Sequence, residues 1–335
     1  MNPSSPVGLL IGSHIPPADI APLAALAERS GFGELWLTED LWYTSGVVCA
    51  GAALAATSTI PVGLGIQSAV TRHASIQALD FATLAQIYPG RFWPGIGLGL
   101  PAWLDQMGIM PKAPLRAIRE TVESVHRLLG GETVSLDGAH HMNEIRLTHP
   151  CKPVPPIYIG AVGPKSIKQT GRIADGLVGS VTSGTAYVEW ARRLLDEGSA
   201  TAPDTGRKRI ATFALFCHDD DVDAARAALR PTLAFYLTVM QGTDLISIYG
   251  IGDELAELAA GGAERVAAEM PDQWLDDLAV VGDGPRCAAQ IDALLQAGSG
   301  SVILFPAPFE RGRELVLQAG SQVIPRVGQG AKDLP

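Results

Sequence analysis

Apolar strand-like runs and helical patterns alternate along nearly the whole chain, and this alternation restricts the fold more than any other feature. Strand-like runs start near Val7, Leu35, Val62, Phe92, Ile157, Leu177, Ile210 and Ser301. Helical patterns cover residues 20–30, 46–56, 75–88, 114–129, 165–173, 185–197, 222–239 and 285–296. Eight strands alternating with eight helices predict an α/β fold, a (β/α)8 TIM barrel forming one domain over residues 1–335. Two stretches exceed the repeat. Residues 131–150 predict a hairpin-like insertion around Asp137-Gly138, and residues 241–280 predict extra helices before the last unit. The competing fold is an open doubly wound sheet. That fold calls for a glycine-rich fingerprint after the first strand, whereas the turn here reads Gly12-Ser13-His14-Ile15-Pro16-Pro17.

Composition narrows the class. With 335 residues, 47% hydrophobic and 18% charged, the chain can bury a large core and suits a soluble globular protein. A net charge of −10 argues against nucleic acid as a partner. The stretch from Gly46 to Val70 has no charge and is long enough to span a bilayer. Pro61, four glycines and Thr57-Ser58-Thr59 interrupt it, so a helix, a turn and a strand are expected there, and no membrane span. The chain lacks the cationic start and apolar core of a signal peptide. Cys49, Cys151, Cys217 and Cys287 are scattered with no C-x-x-C, which predicts reduced, buried thiols in a cytoplasmic protein.

Function is written most densely in residues 156–180, PIYIGAVGPKSIKQTGRIADGLVGS. An apolar strand runs into Gly160-Ala161-Val162-Gly163, Pro164 opens a helix, and a second strand follows Asp175-Gly176. Glycine lets backbone approach a ligand closely, and free N–H groups at a helix start attract anions. Proline fits the first helical turn, where no donor is needed. A phosphate site is one reading of this unit; a tight turn with nothing bound is the other.

A barrel gathers its chemistry where strands end. The candidates are Ser13-His14, Glu39-Asp40 with Trp42-Tyr43, Gln67-Ser68, Gly97-Leu98-Gly99, Gly160 to Lys165, Ser180 to Ser183, and Phe305. Adjacent carboxylates in an apolar mouth repel, and burial raises a carboxyl pKa, which suits Glu39 or Asp40 to proton transfer. The competing roles are helix capping and a solvated loop. His14 serves equally as an acid–base group or as a structural one. His73 reads as a capping residue beside Arg72. His140-His141 has no surrounding acid–histidine cluster of ligand spacing, so no metal is expected. Trp42, Tyr43 and Trp103 suit a flat or apolar substrate, although core packing explains Trp103 equally well.

The wording of three stretches resembles the bacterial-luciferase-like flavin and deazaflavin oxidoreductases. They are the 156–180 unit, the run Ala27-Glu28-Arg29-Ser30-Gly31-Phe32-Gly33-Glu34-Leu35-Trp36, and Val62 to Gly99 with Thr71-Arg72-His73 and Pro89-Gly90-Arg91-Phe92. The likeness covers most of residues 7–180 and thins past 200 to the Val281-Gly282 segment and the last strand. Within the family it is strongest to the branch that uses coenzyme F420, an 8-hydroxy-5-deazaflavin, and that includes methylenetetrahydromethanopterin reductase. The resemblance implies a TIM barrel with the deazaflavin in its mouth. The ring would lie over a cis Gly65-Ile66 peptide beside Gln67 and Gly97. The phosphate tail would cross Gly160, Ala161, Val162, Gly163 and Lys165, with hydroxyls from Ser180 and Thr182. The family usually has histidine where Asp40 stands, and some relatives have an acid where Leu100 stands. Hydride transfer to or from a small organic substrate follows, with Asp40, Glu39 and His14 as the proton-handling candidates. FMN with a monooxygenase activity is the alternative, and a non-catalytic cofactor-binding barrel the second. The small-residue run Ala50 to Ala56 with Gly51, together with the resemblance, implies a homodimer.

Overall fold

The computed structural model describes residues 5–202 and 206–329. Its strands are β1 (Val7–Ile11), β2 (Glu34–Leu37), β3 (Val62–Leu64), β4 (Gln67–Ser68), β5 (Phe92–Trp93) and β6 (Gly95–Gly97), followed by β7 (Val134–Asp137) and β8 (His141–Ile145). The remainder are β9 (Tyr158–Gly160), β10 (Gly176–Gly179), β11 (Arg209–His218), β12 (Val280–Gly282) and β13 (Ser301–Pro306). All pairs in the main sheet are parallel, in the order β4-β6-β9-β10-β11-β13-β1-β2-β3-β5.

The two ends of that order are halves of neighbouring positions. β3 and β4 form one broken strand, β5 and β6 another. β3 pairs with β5 and β4 with β6, so the ring closes with eight positions. The breaks have local causes that hydrophobic pattern does not carry. β3 stops at the cis peptide Gly65-Ile66, and β5 stops at Pro94, which has no N–H for a ladder. The barrel fold expected from the alternation is therefore present. The three-residue β12, not among the expected strands, pairs with the end of β11.

Aromatic rings fill the barrel. Trp36 lies edge-on to Tyr158 at 5.1 Å and to Phe213 at 5.8 Å. At the N-terminal end Arg209 Nη1 lies 2.8 Å from Glu34 Oε2, and its guanidinium stacks 5.0 Å over Trp93. Burial works against the Arg209 charge, yet Glu34 holds its pKa above the ordinary arginine range. Arg209 and Glu34 thus fill this end, and a barrel gathers its chemistry at the opposite, C-terminal mouth.

Helices surround the ring, and proline near the start of Pro114–Leu129, Pro164–Ile173 and Gly284–Gln296 marks their first turns. Asp221 and Asp283 cap their helices through side-chain oxygens. β7 and β8 form an antiparallel hairpin, and four short helices fill 244–278. No helix among the described residues is long and apolar enough to cross a membrane. All four cysteines are free and buried.

Candidate functional site

The mouth is assembled around Ile66. Its side chain lies against three glycines from two neighbouring strands. A Cβ on Gly97 would meet Ile66 Cδ1 at 2.6 Å, one on Gly160 would meet Ile66 Cγ2 at 3.0 Å, and one on Gly95 would meet Ile66 Cγ2 at 3.2 Å. The peptide before Ile66 is cis, as the resemblance implies. Ile66 thus crowds the space that a side chain on Gly97 or Gly160 would need.

Gln67, the next residue, is completely buried, and neither its amide oxygen nor its nitrogen has a hydrogen-bond partner among the described residues. An orphaned buried amide is costly, on the order of 1–3 kcal/mol per group. A ligand edge that presents both a carbonyl and an N–H would satisfy it. Ser68 beside it is engaged, donating to the Leu98 carbonyl at 2.6 Å.

The two carboxylates after β2 have separate fates. Arg72 Nη1 lies 2.5 Å from Glu39 Oε1, and the Gly46 N–H donates to Glu39 Oε2 at 2.9 Å. Glu39 thereby ties a mouth guanidinium to the start of the Gly46–Ala56 helix. The expectation that the pair repels in a dry mouth is corrected at this point: Arg72 neutralises Glu39, and both its oxygens are occupied. Asp40 instead accepts a short hydrogen bond from the Ser13 hydroxyl. Burial pushes the nearby Tyr236 hydroxyl up to about 12, with the Asp40 charge contributing.

His14 stacks on Phe309 with centroids 3.9 Å apart and tilts against Phe305 at 5.6 Å. Burial lowers its pKa below the ordinary 6.5, against the pull of Asp40 and Glu310. It borders a cavity of about 330 Å³ lined also by Leu23, Phe305 and Arg313.

At the phosphate-site turn, Gly163 precedes the Pro164–Ile173 helix, and a Cβ there would meet only the Asp244 carboxylate, at 3.7 Å. Ala161 is buried, and the Val162 carbonyl accepts from Tyr187 Oη at 2.8 Å. Ser180 is partly exposed and Lys165 exposed. Thr182 departs from expectation. It is completely buried, bridged to Ala214, and its hydroxyl has no partner among the described residues. The structure brings Ser13, His14 and Asp40 together: Ser13 bonds to Asp40, and the Asp40 charge acts on His14. It places Trp42 and Tyr43 on the exposed rim and Trp103 in the short Pro101–Gln106 helix. Tyr236 and Asp244 were missed in the sequence, because they enter the site from helices far along the chain with no local motif. His73 caps the Ala74–Ile87 helix, its Nδ1 accepting from the Ser75 N–H.

Fold and site together define a parallel barrel whose mouth offers a glycine-backed ledge, an unsatisfied amide and a helix start. A family model for luciferase-like monooxygenases matches residues 4–300, and the chain belongs to that family. The 5,10-methylenetetrahydromethanopterin reductase of Methanopyrus kandleri is 30% identical over 92% of this chain and 95% of its own. The F420-dependent glucose-6-phosphate dehydrogenase of Nakamurella multipartita is 28% identical over 94% of this chain and 95% of its own. The solved coenzyme F420-dependent tetrahydromethanopterin reductase of Methanopyrus kandleri superposes with a TM-score of 0.84 at 26% identity, covering 97% of this chain and 99% of that one.

Proposed function

We propose that the protein is a coenzyme F420-dependent oxidoreductase acting on a small organic substrate, and that it works in the cytoplasm as a homodimer. The observation that carries this assignment is the orphaned Gln67 amide beside the Ile66 ledge. The pyrimidine edge of a flavin or deazaflavin carries an imide N–H between carbonyls and complements a carboxamide. The two F420-named relatives match the chain along more than nine-tenths of its length, which supports the deazaflavin over FMN. The free, buried thiols suit a reducing compartment.

When bound, the deazaflavin supplies a hydride at a ring carbon. The chain supplies position, exclusion of water and a proton. Ile66 would hold the ring, and Gln67, buried as completely as Thr182, would reach it only after a local rearrangement. Gly163, Lys165 and Ser180 would hold the tail phosphate at the helix start, where N–H groups favour negative charge. Thr182 would join them only after a local rearrangement. Asp40, oriented by Ser13, and His14, which the lowered pKa keeps neutral at pH 7, are the groups placed to exchange the proton. Glu39 would act through Arg72 and the helix it caps. Fluorescence titration of the purified protein with F420 and with FMN tests the assignment. Tight F420 binding with weak FMN binding is expected. The reverse outcome replaces the deazaflavin with FMN and turns the test to oxygen-dependent turnover, and binding of F420 with no turnover on any acceptor makes the protein a carrier barrel.

A further inference from the structure

We infer that the rim pocket between the 38–45 loop and Met107 selects an uncharged substrate with a flat apolar ring system, and that Trp42 and Tyr43 are its specificity-determining residues. This rests on the oxidoreductase assignment only for the word substrate; the binding chemistry stands on the pocket itself.

Two independent observations carry it. The first is the state of Trp42. It is 66% exposed, and Tyr43 beside it is 64% exposed. Trp42 also holds a φ of 75°, the left-handed region that non-glycine residues seldom adopt. Its indole N–H donates to Gln106 Oε1 at 3.3 Å, which ties the loop to the facing helix. Apart from that one hydrogen bond, a large aromatic is kept in an unfavourable backbone region and left in water. Such outliers cluster at ligand clamps. Met107, 40% exposed across the pocket, adds a polarisable side chain that adapts to ring edges.

The second observation is charge. The pocket is about 460 Å³ in volume, and Arg72 is the cation that lines it. Arg72 is already paired with Glu39 at 2.5 Å and lies within 3.5 Å of Ser45 Oγ. Asp40 lines the same wall with a hydroxyl as its partner. The wall therefore presents one net negative charge and two exposed rings. A phosphate or carboxylate would meet repulsion and no free guanidinium, and bidentate pairing is what anion sites rely on. Stacking on the rings needs no charge. The related glucose-6-phosphate dehydrogenase is named for a phosphorylated substrate, and this chemistry points the other way.

A matched pair of probes decides the matter: 2-naphthol and 2-naphthyl phosphate share a ring and differ in charge. Binding to the cofactor-free protein is followed by tryptophan fluorescence and calorimetry. Naphthol is expected to bind at least tenfold more tightly than the phosphate. Trp42→Ala should weaken naphthol at least tenfold while Trp42→Phe retains most of the affinity, with melting curves confirming that both variants fold. Glu39→Gln, which frees Arg72, should narrow the gap between the probes. Equal or tighter binding of the phosphate overturns the proposal, as does naphthol binding that Trp42→Ala leaves unchanged. F420 titration runs in parallel. F420 binding without naphthol binding sinks the pocket alone, whereas naphthol binding without F420 binding sinks the cofactor assignment and leaves the pocket standing.

Discussion

Single residues carry the proton chemistry. Asp40 accepts from Ser13 and pairs with no cation among the described residues, whereas Glu39 is held by Arg72 and the Gly46 N–H. The two carboxylates should therefore respond differently to neutralisation. Asp40→Asn keeps shape and removes charge, and is expected to lower turnover on the order of a hundredfold, the scale of a lost proton-transfer group. F420 affinity and melting temperature should stay near those of the parent. Glu39→Gln should instead lower the melting temperature, because Arg72 is left beside the mouth without its partner. Steady-state kinetics with thermal melts on both variants check this split; a large turnover loss in Glu39→Gln with an unmoved melt would reverse the roles. The sequence made Glu39, Asp40 and His14 visible because they follow apolar runs. It could not say which acid is neutralised, because Arg72 lies 33 residues from Glu39 and meets it only through the barrel's closure.

Elements show how far pattern reaches. Period and breakers were enough to find the alternation, the hairpin turn at Asp137-Gly138 and the glycine-rich start of the 164–173 helix. The break at Pro94 and the short Pro101–Gln106 helix escaped because periodicity has no signal at that length, whereas the break at Ile66 falls at the cis peptide that the resemblance implies. The helix start makes a clean test. Gly163→Val would project into space bounded by the Asp244 carboxylate and no backbone, so the fold should hold. Cofactor affinity should drop at least tenfold, about 1.4 kcal/mol, in a fluorescence titration. Unchanged affinity would move the tail elsewhere. The hairpin offers a pH test. His140 Nε2 lies 2.9 Å from the Ala69 carbonyl, its ring 5.0 Å from His73, and the adjoining Ala139 N–H donates to Glu120 at 2.8 Å. Burial lowers the His140 pKa below 6.5; the Ala69 bond and Glu120 raise it, and His73 lowers it further. A histidine depressed in the folded state binds fewer protons there than in the unfolded chain. Its contribution is thus complete above about 6.5 and is lost as pH falls through the depressed folded value. Thermal melts from pH 7.5 to 5 should show falling stability, and His140→Gln should shallow that slope; an identical slope would put the acid sensitivity elsewhere.

At the scale of the whole molecule, the helices Gly46–Ala56 and Ala74–Ile87 present a problem that one chain does not solve. The first has no charged residue in eleven, and the second has only Asp80 among fourteen. A helix apolar on all sides, as Gly46–Ala56 is, is normally buried on all sides. Here Ala50, Ala53, Leu54, Ala78 and Phe81 face the core, while Val48, Ile76, Leu79 and Ile87 remain exposed. The two helices touch, with Leu84 Cδ2 3.5 Å from where a Cβ on Gly51 would stand. Ile76, Leu79 and Ile87 fall on one face by helical spacing, and an apolar face of this kind marks an interaction surface. A second copy is the partner we propose, because the face repeats on every chain and a twofold axis would set it against itself. The small-residue run gave this clue in the sequence; the exposure of Ile76, Leu79 and Ile87 could be seen only after the third unit had been folded against the second. Leu79→Glu places a charge on that face without touching the core or the mouth. Sedimentation at micromolar concentration should show a dimer for the parent and a shift towards monomer for the variant, with the dissociation constant raised at least tenfold. The melting temperature of the variant should become less dependent on protein concentration, since binding of a partner stabilises by mass action. A parent that sediments as a monomer would leave this face without its second copy, and a Leu79→Glu variant that stays dimeric would move the interface to another side of the barrel.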